Sequence, residues 1–269
     1  MSGHSELLRT AGGTPVWITG TGPAVIFIHG VMVDHRMWHP QVDAMAGRYR
    51  VCCMDMLGHG GAPDPAGKRT LEEFVEQVRE VVDLVSAEER PVLVGFSMGG
   101  LVAQAYAIEH HSNLAGLVLL NTVHDRSPEQ AARVRSRYEA NLADGVENAV
   151  RSGIGRWFTA EERRSRGELA DELAGWMRDG DFTAKCKAHR VFVTSDGQLT
   201  GRLGAISCPA LIATGERDAG STPEMSRKMA SAIPVAELHV LEGQHHLMTL
   251  LAGDQVNAML LEFLPRCFP

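Results

Sequence analysis

A chain of 269 residues, 44% of them hydrophobic, is long enough for one large α/β domain, or a domain carrying an insertion, around a sizeable core. A formal net charge of −7 argues against a nucleic-acid partner. No run of about 18 apolar residues could span a membrane, the first residues lack the basic-then-apolar pattern of a secretory leader, and five cysteines without metal-ligand spacing read as reduced thiols of a cytoplasmic protein.

In chain order, the polar segment Met1 to Thr14 is expected to form a short edge hairpin with Pro15–Thr19. Ala24–Ile28 reads as a buried strand ending at His29-Gly30, followed by a loop and a short helix that stops near Gly47. Tyr49–Asp55 is the next strand, on which the adjacent Cys52 and Cys53 must face opposite sides. Leu57–Gly61 is the loop after it. Thr70-Leu-Glu-Glu73 is a capping box, and Leu71, Phe74, Val75, Val78, Val81, Val82 and Val85 follow at helical spacing, one apolar face of a surface helix.

The next stretch carries the chemistry. Arg90–Gly95 is a short β-branched run, Leu101–Glu109 a good helix former, and Gly95-Phe96-Ser97-Met98-Gly99 lies between them. Strand, G-x-S-x-G, helix is the context of a nucleophile elbow. The turn is so tight that Ser97 is forced into a strained backbone region with its hydroxyl beyond the sheet, and a Cβ at Gly95 or Gly99 would collide with a neighbouring element. The helix N-terminus behind the serine favours negative charge developing in front of it. Leu114–Leu120 is one more buried strand. Alternation of strands and helices implies right-handed crossovers and a parallel sheet.

At Asn121 the pattern changes. Residues 125–200 lack clear buried strands and read as helices, with capping boxes at Ser127-Pro-Glu-Gln130 and Thr159-Ala-Glu-Glu162 and glycines between. This segment holds 13 basic and 13 acidic residues, so residues 1–124 and 201–269 carry the whole charge of −7. It reads as a helical cap inserted into an α/β core, with glycines that would let it move as a lid. Trp157 would offer apolar pocket wall, and Arg156 beside it would pair with a substrate carboxylate. After the insertion the rhythm returns, with strands at Pro209–Thr214 and Val235–Leu241, a helix over Pro223–Ile233, and a closing helix from His246 to Leu264.

A serine hydroxyl needs a base within hydrogen-bond reach, and the base needs an orienting acid. Thr214-Gly-Glu-Arg-Asp218 and Glu242-Gly-Gln-His-His246 each follow a strand, so both loops lie at the carboxyl edge where the elbow lies, in the order serine, acid, histidine.

These motifs, with His29-Gly30, resemble the α/β-hydrolase superfamily along nearly the whole chain. The resemblance implies a mostly parallel sheet with flanking helices and an inserted helical cap. It implies Ser97 as nucleophile, Asp218 as acid and His246 as base, with His245 the alternative base and Asp125 the alternative acid. It implies an oxyanion hole of the Val31 and Met98 backbone amides, and neither metal nor organic cofactor. Leu119-Leu-Asn-Thr122, Ser127-Pro-Glu129 and Arg156-Trp-Phe-Thr159 are similar to the 3-oxoadipate enol-lactonase and carboxylesterase branch. The implied function is hydrolysis of a small-molecule ester or enol-lactone through an acyl-enzyme. The same residues would serve carbon–carbon hydrolysis of a vinylogous diketone, or cofactor-free perhydrolase or haloperoxidase chemistry. A non-catalytic ligand-binding receptor is the alternative from another class.

Overall fold

The computed structural model describes residues 5–86 and 89–268, so the first four residues of the expected edge hairpin lie outside the described residues. The remainder forms strand β1 (Glu6–Arg9), which pairs antiparallel with β2 (Pro15–Thr19). Next come β3 (Ala24–Ile28), α1 (His39–Met45), β4 (Arg50–Met54), α2 (Leu71–Val85), β5 (Val92–Phe96), α3 (Met98–His110) and β6 (Gly116–Leu120). Four helices follow: α4 (Pro128–Trp157), α5 (Ala160–Ser165), α6 (Gly167–Arg178) and α7 (Phe182–Thr194). The chain closes with β7 (Ala210–Gly215), α8 (Pro223–Ala232), β8 (Ala236–Leu241), α9 (Met248–Leu251) and α10 (Gly253–Phe263).

The eight strands make one sheet in the order β1-β2-β4-β3-β5-β6-β7-β8, parallel from β4 to β8. Strands buried on both faces read as continuous apolar runs, and β3, β5 and β6 are buried at every position. Alternation still sorts the side chains. Ile26, Cys52, Leu93 and Leu117 pack in one layer with α2, α3 and α8. Val25, Cys53, Val94 and Val118 pack in the other with residues of α1 and α10. Cys52 and Cys53 therefore do face opposite ways, and all five cysteines are buried free thiols.

The capping boxes at Thr70, Ser127 and Thr159 all form, each satisfying orphan amides at a helix start. The closing helix is shorter than expected from sequence. Residues 243–247 are loop, α9 begins at Met248, and the helix breaks at Ala252 before α10. None of the described helices is long and apolar enough to cross a membrane.

The inserted helices hold to the core at several points. Lys187 meets Asp64, Arg190 donates to the Arg69 carbonyl, and Arg36 joins Asp34 to Asp179 in the α6–α7 turn, while Arg126 bonds Asp196 at 2.8 Å and ties the two ends of the insertion together. Buried Lys185 donates to the Trp176 and Met177 carbonyls, fastening α7 to the end of α6. Gly153 and Gly155 lie within α4, not between helices; Gly153 admits Met177 and Trp157 at close range. The break in α4 is at Gly145, whose φ of 78° and ψ of −170° belong to a region only glycine populates readily.

Candidate active site

The register of the sheet decides where the functional loops emerge. Phe96 pairs with Leu120 and Gly95 with Ile28, so β3, β5 and β6 end together. Ser97 N–H donates to the Leu120 carbonyl at 2.9 Å, and Asn121 N–H to the Ala213 carbonyl at 2.9 Å. Residues 29–33, 97, 121, 218 and 246 therefore follow from the same edge.

Ser97 has φ 53° and ψ −113°, a strained conformation costing about 1–3 kcal/mol. Its surroundings hold it there. A Cβ on Gly95 would lie 2.4 Å from the Gly99 carbonyl oxygen, and one on Gly99 would lie 2.2 Å from that of Ile28. Thr122 donates its hydroxyl to the Ser97 carbonyl at 2.7 Å.

His246 Nε2 lies 3.1 Å from Ser97 Oγ, and His246 Nδ1 lies 2.7 Å from Asp218 Oδ2. With Nδ1–H donating to the carboxylate, Nε2 is left to accept the serine proton. Asp218 is buried, and its other oxygen accepts the Gly220 and Ser221 amides at 2.8 and 3.0 Å. Burial pushes its pKa up, but the His246 charge and the hydrogen bonds from His246, Ser221 and Asn121 outweigh it, and the net shift is down. His245 contributes only its carbonyl, which accepts from Asn121 at 3.3 Å. Asp125 is turned to the surface, where Lys228 pairs with it at 3.0 Å. Glu216 is exposed and caps its loop by accepting the Gly243 amide at 2.9 Å.

The loop after β3 comes up against the serine. A Cβ on Gly30 would stand 3.4 Å from the Ser97 Cβ. His29 Nε2 accepts the Met56 amide at 2.9 Å, so its Nδ1 carries the proton and donates to the Gly30 carbonyl at 2.6 Å. That carbonyl belongs to the Gly30–Val31 peptide, which is trans, so the Val31 N–H points the opposite way. His59 Nε2 accepts the Met32 amide at 3.1 Å and holds Met32 at φ 70°. Burial above all lowers the pKa of both imidazoles, which stay neutral and keep these tautomers. The Val31 and Met98 amides have no hydrogen-bond partner among the described residues.

Above this loop and Ser97 lies a cleft of about 690 Å³, counted out to its open mouth. Core loops form its floor, and Val134, Arg137, Arg156, Trp157, Met177 and His189 of the inserted helices form much of its wall. The Trp157 ring lies nearly parallel to that of His246 with centroids 6.4 Å apart. Arg156 as a residue is exposed, but its guanidinium is crowded by protein; burial first, then the Arg137 charge, lower its pKa to about 10 against a smaller opposing pull from Asp218. It remains a cation at neutral pH.

The alpha/beta hydrolase family model matches residues 25–259. This chain is an alpha/beta hydrolase. A 3-oxoadipate enol-lactonase of Acinetobacter baylyi is 28% identical to it, over 90% of both chains. The (E)-2-((N-methylformamido)methylene)succinate hydrolase of the same organism is 29% identical, over 88% of this chain and 89% of the other. Among solved structures, the enol-lactonase of Burkholderia xenovorans superposes with a TM-score of 0.87 at 25% identity, covering 97% of this chain and all of that one. A thermophilic esterase of Thermogutta terrifontis, solved with malate bound, gives 0.85 at 26%, covering 99% and 100%.

Three features of this hydrolase were missed in the sequence. Asn121, at φ 45°, donates to Asp218 Oδ2 at 2.9 Å; its place directly after a strand was the available signal. Arg137 and His189 enter the cleft from helices whose apolar spacing says nothing of which polar residue faces inward. Asp34, His35 and Asp55 form the one described cluster close enough to hold a metal, but the Asp34 and Asp55 carboxylate oxygens are already engaged by Arg36, His35 and the Gly61 amide.

Proposed function

We propose that this alpha/beta hydrolase cleaves a carboxylic ester or lactone of a small molecule through an acyl-enzyme. The observation that carries the reading is the single imidazole of His246 bridging Ser97 Oγ and Asp218. In the first half-reaction His246 Nε2 takes the hydroxyl proton as Ser97 Oγ attacks the scissile carbonyl. Asp218 stabilises the imidazolium that forms, without itself taking the proton. The Val31 and Met98 amides receive the tetrahedral oxyanion, aided by the N-terminus of α3. His246 then protonates the leaving oxygen. In the second half-reaction His246 activates water, which releases the acid and regenerates Ser97. This chemistry needs neither metal nor organic cofactor, and the partner is a small-molecule substrate rather than a nucleic acid or a membrane.

Trp157 forms apolar wall beside the base, and Arg156 offers its charge to a substrate carboxylate. Supporting an acidic substrate, the relatives named above act on a succinate derivative or an enol-lactone of 3-oxoadipate, and the Thermogutta esterase holds malate. A fluorophosphonate probe tests the assignment. Labelling confined to Ser97 and absent from Ser97→Ala supports it, whereas an unlabelled protein would return the chain to a binding role.

A further inference from the structure

The cleft above Ser97 is charged on one side only. Arg137 and Arg156 both line it, with His189 and Asn141, and no Asp or Glu stands in its wall among the described residues. Arg126 is matched by Asp196 and Arg178 by Glu147, while Arg137 and Arg156, like most arginines of the inserted segment, have no ion-pair partner among the described residues; what sets these two apart is that both line the cleft. The inserted segment holds as many acidic as basic residues, so acids are not in short supply there.

The fold brings the two cations together at a cost. Residues 137 and 156 would stand about 28 Å apart on a straight helix. The break at Gly145 turns the second half of α4 so that both reach one cleft. Crowding by protein lowers the pKa of both guanidinium groups, and the Arg137 charge adds to the shift at Arg156, although Arg156 keeps an exposed surface. His189 lines the same cleft, 7% exposed, with Nδ1 buried and unpartnered. Burial and the charges of Arg156, Arg137 and Arg126 lower its pKa to about 3. It is a neutral ring that can offer an N–H without adding a third positive charge.

We propose that the cleft selects a substrate bearing two carboxylates besides the scissile group, one facing Arg137 and one facing Arg156, with a hydrogen bond from His189. Two unmatched cations set the count. A neutral ligand leaves both without a counter-charge, and a monoanion leaves one. A dianion matches both, and planar guanidinium forks suit carboxylates. The reading of Ser97 as nucleophile enters only in fixing where the scissile carbonyl lies.

The test is calorimetric titration of Ser97→Ala with succinate and adipate against butyrate and hexanoate, at neutral pH and fixed salt. A preference of at least tenfold for each dicarboxylate over its monoacid is expected. Arg137→Gln and Arg156→Gln, each checked for a native unfolding transition, should erase that preference, and Arg137→Lys should keep part of it. Equal affinity for mono- and dicarboxylates overturns the proposal, as does a folded Gln pair that still prefers the dianion. Binding is read here without turnover, so failure leaves the fluorophosphonate result standing, and an unlabelled Ser97 leaves this result standing.

Discussion

Asn121 donates its amide to Asp218 Oδ2 at 2.9 Å, the oxygen that also receives His246 Nδ1 at 2.7 Å. The carboxylate is thereby held by a side chain just after β6 as well as by amides of its own loop. Asn121 touches neither serine nor cleft, so it is a positioning residue. Asn121→Ala removes one charge-assisted bond of about 1.5–3 kcal/mol, which corresponds to about a 10- to 100-fold loss in rate if it falls on the transition state. The expected outcome is a fall in kcat with little change in KM. A parallel rise in KM would mean that the variant disturbs the cleft instead.

The neighbouring histidines should separate cleanly in kinetics. His246→Ala, like Ser97→Ala, should lower kcat by about 10⁴-fold or more, because the members act as a unit. His245→Ala should cost far less, since only the His245 carbonyl is used. Asp218→Asn should lose about 10⁴-fold by leaving the imidazole in the wrong tautomer, while Asp125→Asn, on a surface ion pair, should change little. Steady-state rates on a p-nitrophenyl ester rank the five; a His245 variant as poor as that of His246 would reassign the base.

How much of this could be read from the chain differs by element. The elbow was legible because Gly95, Ser97 and Gly99 are each demanded by local sterics, and local sterics are written in consecutive residues. The order serine, acid, histidine was legible because three loops after three strands must emerge at one edge. The choice between His245 and His246 was not, since residues adjacent in a loop differ only in direction, and the family likeness supplied it. The inserted helices were recognisable as helices by their capping boxes. That Trp157 and Arg156 would face the site was expected from their place in the insertion, but that Arg137 and His189 join them was not, because it depends on the turn at Gly145 and on how the helices pack.

Gly145 and Gly155 make opposite predictions within one helix. Neither has an atom within 4 Å of where a Cβ would be, so space does not distinguish them. Gly145 has φ 78° and ψ −170°, and Gly145→Ala should cost about 1–3 kcal/mol or straighten α4. Straightening would withdraw Arg137 from Arg156 and should raise KM for an anionic ester, whereas a bend kept under strain should lower stability alone. Gly155 is exposed and helical, so Gly155→Ala should stabilise by about 0.5–1 kcal/mol. Thermal unfolding of the two variants checks the signs, and a stabilised Gly145→Ala would show that the bend is not required.

Stability should fall on mild acidification, through the buried imidazoles. His29, His59 and His189 all have pKa values lowered in the folded protein, chiefly by burial, and His189 to about 3. In the unfolded chain each returns to about 6.5. Between the two values the unfolded chain holds a proton that the native protein lacks, so stability rises with pH across that window. The contribution is complete above about 6.5 and is lost as pH falls toward the folded pKa, by up to about 1.4 kcal/mol per pH unit for each ring. For His189 the window reaches from about 6.5 down to about 3. Asp218 acts in the same direction lower down, since its own lowered pKa gives stability present above about 3.9 and lost below. Urea unfolding at pH 5, 6, 7 and 8 should therefore show a stability loss from 7 to 5 that is shallower in His189→Gln by close to one proton. An unchanged slope in that variant would mean that His189 titrates in the folded cleft as it does in the unfolded chain, so that burial and the neighbouring arginines do not keep it neutral on acidification.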